Sequence, residues 1–149
     1  NLEEQRYHGS VLKISDSGNQ FSWDTVIEAS IDNEISCPAR LAFDHTGNLW
    51  IATGIPASLA NQGAYTSFGN NGLFVLPKGQ KRAKQIASAP TDAKFSGMSF
   101  TADDKFLFLG VQQPGSRSSS IYDFDFTSHW PAGGKSKPMS GVVIIGRGG

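Results

Sequence analysis

Two stretches of this chain can be laid over each other without a gap, and that repeat restricts the fold more than any other feature. Residues 41–52 read Leu-Ala-Phe-Asp-His-Thr-Gly-Asn-Leu-Trp-Ile-Ala; residues 98–109 read Met-Ser-Phe-Thr-Ala-Asp-Asp-Lys-Phe-Leu-Phe-Leu, at an offset of 57. The superposition sets Phe43 on Phe100, Leu49 on Phe106 and Ile51 on Phe108. In each copy, alternating apolar residues flank a short polar run. Small polar residues turn the chain at low cost, and period-2 alternation lays one strand face on a core, so each copy is predicted to be a β-hairpin. A second unit, a Gly followed by an apolar run, recurs at Gly9-Ser-Val-Leu-Lys-Ile, Gly72-Leu-Phe-Val-Leu and Gly141-Val-Val-Ile-Ile. After the first two, further strands are predicted over residues 21–29 and 82–88.

With the four strands of a unit labelled a to d, the chain reads c, d; then a, b, c, d; then a, b, c. Repeated four-stranded units are the signature of a propeller. The predicted fold is all-β, an incomplete β-propeller of about two and a quarter four-stranded antiparallel blades. The blades divide as a partial one over residues 1–35, a full one over 36–95 and a partial one over 96–149. A β-sandwich with long loops is the competing reading, and it would lack this blade phase. The a-to-b turns are short, whereas the b-to-c connections, residues 54–71 and 112–140, are long. In a propeller, b-to-c and d-to-a connections open on one face, which is where loop-borne function is expected. Closure takes about four or more blades. The chain therefore reads as a fragment of a longer protein, with the remaining blades as its first partners.

Composition narrows the function. The 149 residues carry 13 basic and 13 acidic side chains, so bulk attraction to nucleic acid or an anionic membrane is not expected. Only 17% of residues are charged, and 17 Gly with 10 Phe suit short strands and tight turns. No sustained 3.6-residue periodicity is present, so no helix longer than about three turns is expected between residues 38 and 111. No apolar run approaches the roughly 18 residues of a membrane span, and no signal-peptide pattern opens the sequence. The single Cys37 rules out an intrachain disulfide.

Five segments, in order, resemble one family. Cys37-Pro-Ala-Arg-Leu-Ala-Phe-Asp-His-Thr-Gly-Asn-Leu-Trp-Ile-Ala-Thr is similar to the "Pro-Asp-Asn-Leu-Ala-Phe-Asp…Gly-Asn-Leu-Trp-Ile-Ala-Thr" stretch of PhoX-type alkaline phosphatases. Asn71-Gly-Leu-Phe-Val-Leu-Pro is similar to their "Asn-Asp-Gly-Leu-Phe-Val-Val-Pro". Gly97-Met-Ser-Phe-Thr-Ala-Asp-Asp-Lys-Phe-Leu-Phe-Leu-Gly-Val-Gln-Gln-Pro-Gly resembles a third motif ending "Val-Gln-His-Pro-Gly". Ser128-His-Trp-Pro and Val142-Val-Ile-Ile resemble the closing segments, so the resemblance runs over about residues 36–146. It implies a C-terminal part of a six-bladed, periplasmic or secreted protein. It also implies a phosphomonoesterase centre of calcium and iron acting on a phosphate-ester substrate.

The chain departs from the family where that chemistry is implied. Hard oxygen ligands hold such cations, which in turn neutralise the phosphoryl oxygens. The family's Pro-Asp-Asn here reads Pro38-Ala39-Arg40, its Ala-Glu reads Ala93-Lys94, and its Gln-His reads Gln112-Gln113. Cationic Arg and Lys have no free lone pair for a metal, but both bind phosphate directly. Arg40 and Lys94 are thus candidate phosphate ligands of a metal-poor anion site. The favoured reading is the plainer one, of loops that drifted once catalysis was lost. Asp32 and Glu34 are the clustered acids of a d-to-a loop and candidate metal ligands. Asp123 and Asp125 alternate with Tyr122, Phe124 and Phe126, which puts both carboxylates on one side of an extended segment. They are a candidate calcium pair, with a solvated edge preferred. His8, His45 and His129 read as surface or turn histidines, His45 on the face opposite the loops. No P-loop, zinc pattern or nucleophile elbow is present.

The leading expectation is a piece of a PhoX-like phosphatase that is inactive and holds no metal alone. The alternative is a non-catalytic propeller module for binding or scaffolding. A broken propeller also exposes interblade faces. Phe100, Phe106 and Phe108 are expected on such a face, covered by a second copy in a homodimer or by rearrangement within one chain.

Overall fold

The computed structural model describes residues 7–120, 122 and 125–146. Strands β1 (Ser10–Asp16) and β2 (Phe21–Glu28) pair as a two-stranded sheet. Strands β3 (Pro38–Phe43), β4 (Leu49–Thr53), β5 (Gly72–Leu76) and β6 (Lys84–Ser88) form a four-stranded sheet in that order. A third sheet orders β7 (Lys94–Phe100), β8 (Phe106–Gln112) and β9 (Gly141–Gly146). Every pairing is antiparallel between chain neighbours, the meander of a propeller blade. The fold is all-β and open, an incomplete propeller as the repeat requires. Between residues 38 and 111 the helical content is one 3-10 turn, Gly63–Tyr65.

Period-2 alternation lets the middle sheet serve two cores at once. Leu49, Ile51, Phe74 and Leu76 join Val11, Ile27, Ala29 and Ile35 between the first and second sheets. Their neighbours Ala52 and Leu73 point the other way, onto Phe95, Leu107, Leu109 and Val111 of the third sheet. Strands β4 and β5 are buried on both faces, which is why they read as nearly unbroken apolar runs. Each fully buried Leu, Ile or Phe contributes roughly 2 kcal/mol relative to exposure.

The two hairpins are not related by a single offset. In the first, Phe43 pairs with Leu49 and Leu41 with Ile51. In the second, Phe100 pairs with Leu107 and Met98 with Leu109. The second turn is one residue longer, so Leu107 and Leu109, not Phe106 and Phe108, are the counterparts of Leu49 and Ile51. A one-residue slip carries a side chain to the opposite face of a sheet. Phe106 and Phe108 are accordingly exposed, as expected, while Phe100 turns inward and packs on Trp50 with ring centroids 5.3 Å apart. A bulge between Phe95 and Met98 lets both residues face the same core despite their odd spacing.

The outward faces at the two ends of the stack carry exposed apolar rows. Leu12, Ile14, Phe21 and Trp23 lie on the first sheet, and Phe106, Phe108, Val142 and Ile144 on the third.

Candidate functional site

The long connections, residues 54–71 and 113–140, leave the ends of β4 and β8 beside the starts of β3 and β7. Local chemistry shapes this loop end. A bulge between Pro38 and Arg40 leaves Ala39 without a partner on β4. Gly54 makes room for it: a Cβ there would lie 2.7 Å from that of Ala39, and the Gly54 N–H donates to the Cys37 carbonyl at 2.8 Å. Gly110 likewise clears the bulge of β7, where a methyl group would collide with the Ser96 hydroxyl. Bulges of this kind re-aim side chains beside functional sites. Among the described residues with positive φ, Glu34, Cys37, Asn61, Asp92 and Gln113 belong to loop-end connections, and only Asp104 among the non-glycines lies in a tight turn. Backbone strain is therefore concentrated at the end that carries the long loops.

Arg40, Lys94, Asp32 and Glu34 belong to the strand starts and connections of this end. Arg40 is exposed on β3, and its Nη1 donates to the Ala39 carbonyl at 2.8 Å. Lys94 is half-buried at the start of β7, in register with Gln112. Strands β3 and β7 lie against each other, so both cations stand near the starts of contacting strands. Asp32 and Glu34 are exposed in the turn after β2, where the Glu34 N–H donates to the Ile31 carbonyl at 3.0 Å. Asp125 is exposed; Asp123 lies outside the described residues. Among the described residues no three His, Cys, Asp or Glu side chains come together in a way that could hold a metal ion.

Two clusters escaped the sequence reading. The first corrects the expectation for His8. Only 2% exposed, its Nδ1 lies 2.9 Å from the Ser36 hydroxyl, with its ring against Tyr65 and Phe68. The 54–71 connection folds over it, a contact across nearly 60 residues that no local pattern announces. The Tyr65 hydroxyl donates to the Tyr7 carbonyl at 3.1 Å, and burial together with neighbouring Cys37 raises its pKa. The other histidines are as expected: His45 sits in the β3–β4 turn at the opposite end, 2.7 Å from Asp104, and half-buried His129 contacts the Ser136 carbonyl.

The second cluster centres on Asp92, in the β6–β7 connection. Its side chain is 1% exposed and accepts from Arg117 Nε at 2.6 Å, from the Arg117 backbone N–H at 3.3 Å and from the Thr127 hydroxyl. Burial alone would raise this carboxyl; the hydrogen bonds from Thr127 and Arg117 outweigh it and hold the pKa below the ordinary carboxylate range. Nothing in the sequence pairs Asp92 with a residue 25 positions later. The available signal was a charged residue between Thr91 and Ala93, just ahead of a strand.

A family model described as Alkaline phosphatase PhoX matches residues 1–115. The chain belongs to the PhoX alkaline phosphatase family. A solved structure, Pseudomonas fluorescens PhoX in complex with vanadate, a transition state analogue, superposes with a TM-score of 0.74 at 26% identity. The match covers 95% of this chain and 27% of that PhoX chain. No curated protein matches. The family match reaches back to residue 1 and so includes the two-stranded first sheet.

Proposed function

We propose that this chain is a C-terminal propeller segment of a larger, exported, metal-dependent phosphomonoesterase, and that it turns over no substrate by itself. The observation that carries this reading is the 95% coverage of the chain by a PhoX that binds vanadate, a mimic of a phosphoryl transition state, against 27% coverage of that PhoX. The segment's part is to supply loop-end groups that face the phosphate ester, with Arg40 and Lys94 as the candidate cations. Calcium and iron, which the family resemblance implies, do not fit the described residues of this segment alone. Among the described residues no three His, Cys, Asp or Glu side chains come together, and Arg40 and Lys94 stand where the resemblance implies an Asn and an acid. Ligands for such a centre would come from the remaining blades.

The purified chain is expected to hydrolyse no p-nitrophenyl phosphate above background, and the full-length parent to hydrolyse it with stoichiometric calcium and iron. Chelator-sensitive turnover by the chain alone would overturn the first statement. A metal-free, inactive parent would favour a binding or scaffold module.

The purified chain is also expected to associate. The exposed rows of Leu12, Ile14, Phe21 and Trp23 and of Phe106, Phe108, Val142 and Ile144 form apolar surfaces of the kind that mark contact sites. Light scattering at tens of micromolar checks this. A monodisperse species of 16.0 kDa refutes it.

A further inference from the structure

Arg117 is built into the loop end more firmly than an exposed loop arginine needs to be. Its neighbours are cross-braced: Gly115 N–H donates to the Thr91 carbonyl at 3.1 Å, the Ser118 hydroxyl to the Gly115 carbonyl at 2.6 Å, and Thr127 N–H to the Ser118 hydroxyl at 3.1 Å. Thr127 then closes the circuit through Asp92. The backbone of Arg117 itself is pinned by its N–H to Asp92 Oδ2. Asp92 adopts φ 66°, a left-handed conformation that costs a non-glycine residue free energy and collects at functional sites.

The grip on the side chain is lateral. Asp92 holds Nε, and among the described residues neither Nη1 nor Nη2 has a protein hydrogen-bond partner. The Arg117 side chain is 38% exposed while the carboxylate that steers it is 1% exposed. The guanidinium is thus partly open to solvent, whereas the carboxylate that holds it is not. A planar guanidinium whose two Nη groups have no partner among the described residues matches two oxygens of a phosphoryl group, and orienting it beforehand lowers the entropy lost on binding. Lys94 follows Asp92 by two residues in the chain, at the start of β7 on the same loop end.

We propose that Arg117 is a further anion-binding residue of the loop end, taking two phosphoryl oxygens through Nη1 and Nη2, with Asp92 as its positioning residue. The inference rests on the reading of this end as a phosphate-facing surface. It adds a residue that the family motifs did not point to.

Inorganic phosphate titrated into the chain, followed by calorimetry, tests it. Arg117→Gln is expected to weaken binding about tenfold, the size of one charge-assisted bidentate contact. Arg117→Lys keeps the charge and can still pair with Asp92 but lacks the fork, so it is expected to recover only part of the loss. Asp92→Asn keeps Arg117 and removes the anchor; it should weaken binding, although deleting an anion near a phosphate site would by charge alone strengthen it. Circular dichroism of each variant separates these losses from unfolding, and Arg117→Lys remains informative if Arg117→Gln does not fold. Unchanged affinity in Arg117→Lys and Arg117→Gln, with loss in Arg40→Gln or Lys94→Gln, overturns the role of Arg117 and leaves the anion surface standing. No saturable phosphate binding by the unaltered chain overturns both.

Discussion

Replacing Asn71 with Ala will destabilise the chain by about 3 kcal/mol, the largest single effect expected of a polar residue here. Asn71 is 4% exposed and satisfies its whole side-chain amide internally. Its Oδ1 accepts from Ile55 N–H at 2.6 Å and Thr53 Oγ1 at 3.2 Å; its Nδ2 donates to the carbonyls of Ile55 and Ala93, both at 3.0 Å. The last bond ties the β4–β5 connection to the residue just ahead of the third sheet. Removing the side chain leaves buried backbone groups of Ile55 and Ala93 without these partners, each costing about 1–3 kcal/mol and not additively. Urea denaturation measures the difference. Asn70→Ala is the control, since half-buried Asn70 gives one bond, to the Ala89 carbonyl at 3.1 Å, and should cost under about 1 kcal/mol. Equal losses in the two variants would show that Asn71 is no hub.

Replacing Asp44 with Asn is expected to remove most of the acid sensitivity of the β3–β4 turn and to cost about 2 kcal/mol at neutral pH. The buried carboxylate accepts from Thr46 N–H and Oγ1, from Asn48 N–H and Nδ2, and from Trp50 Nε1 at 3.0 Å. Burial would raise its pKa, but the bonds from Trp50, Asn48 and Thr46 together depress it far below the ordinary value. A depressed folded-state pKa adds stability that is fully present above the unfolded value, about 4, and is lost as pH falls through the folded one. The unaltered chain should therefore lose stability progressively below about pH 4, and Asp44→Asn should lose less. Asp92, also depressed, contributes in the same direction and keeps the variant from being flat. Denaturant midpoints across an acid series check the slope. An identical slope in both proteins would refute the assignment to Asp44. Because Asp44 also anchors the Trp50 ring that packs on Phe100, the variant should loosen contact between the second and third sheets.

The loop end was legible in part. Bulge-bearing β3 and β7 and the two long connections were placed by motif and spacing, and Arg40 and Lys94 stand near the starts of strands in contact. Asp92 and Arg117 were not legible as a pair. An ion pair between two irregular segments has no period, and either residue alone reads as a solvated loop charge. His8 was misjudged for the same reason: its burial comes from Tyr65 and Phe68, brought over it by a connection whose path local sequence does not specify.

Strand and turn identity were determined by the sequence alone, because alternation and turn chemistry act within a few residues. Asp44, Thr46, Gly47 and Asn48 make their turn with their own side chains and backbone. The run Gly72–Leu76 carries its own evidence of burial on both faces. Only the tertiary structure decided which face each apolar residue of the second hairpin would occupy. One additional turn residue and one bulge are silent in composition, yet they exchange inside for outside. Phe100 went onto Trp50 while Phe106 and Phe108 were left facing away from the middle sheet. The physical reason is that side chains alternate at period 2, so a strand's facing depends on its register with a partner, and register is settled by contacts between strands rather than within them.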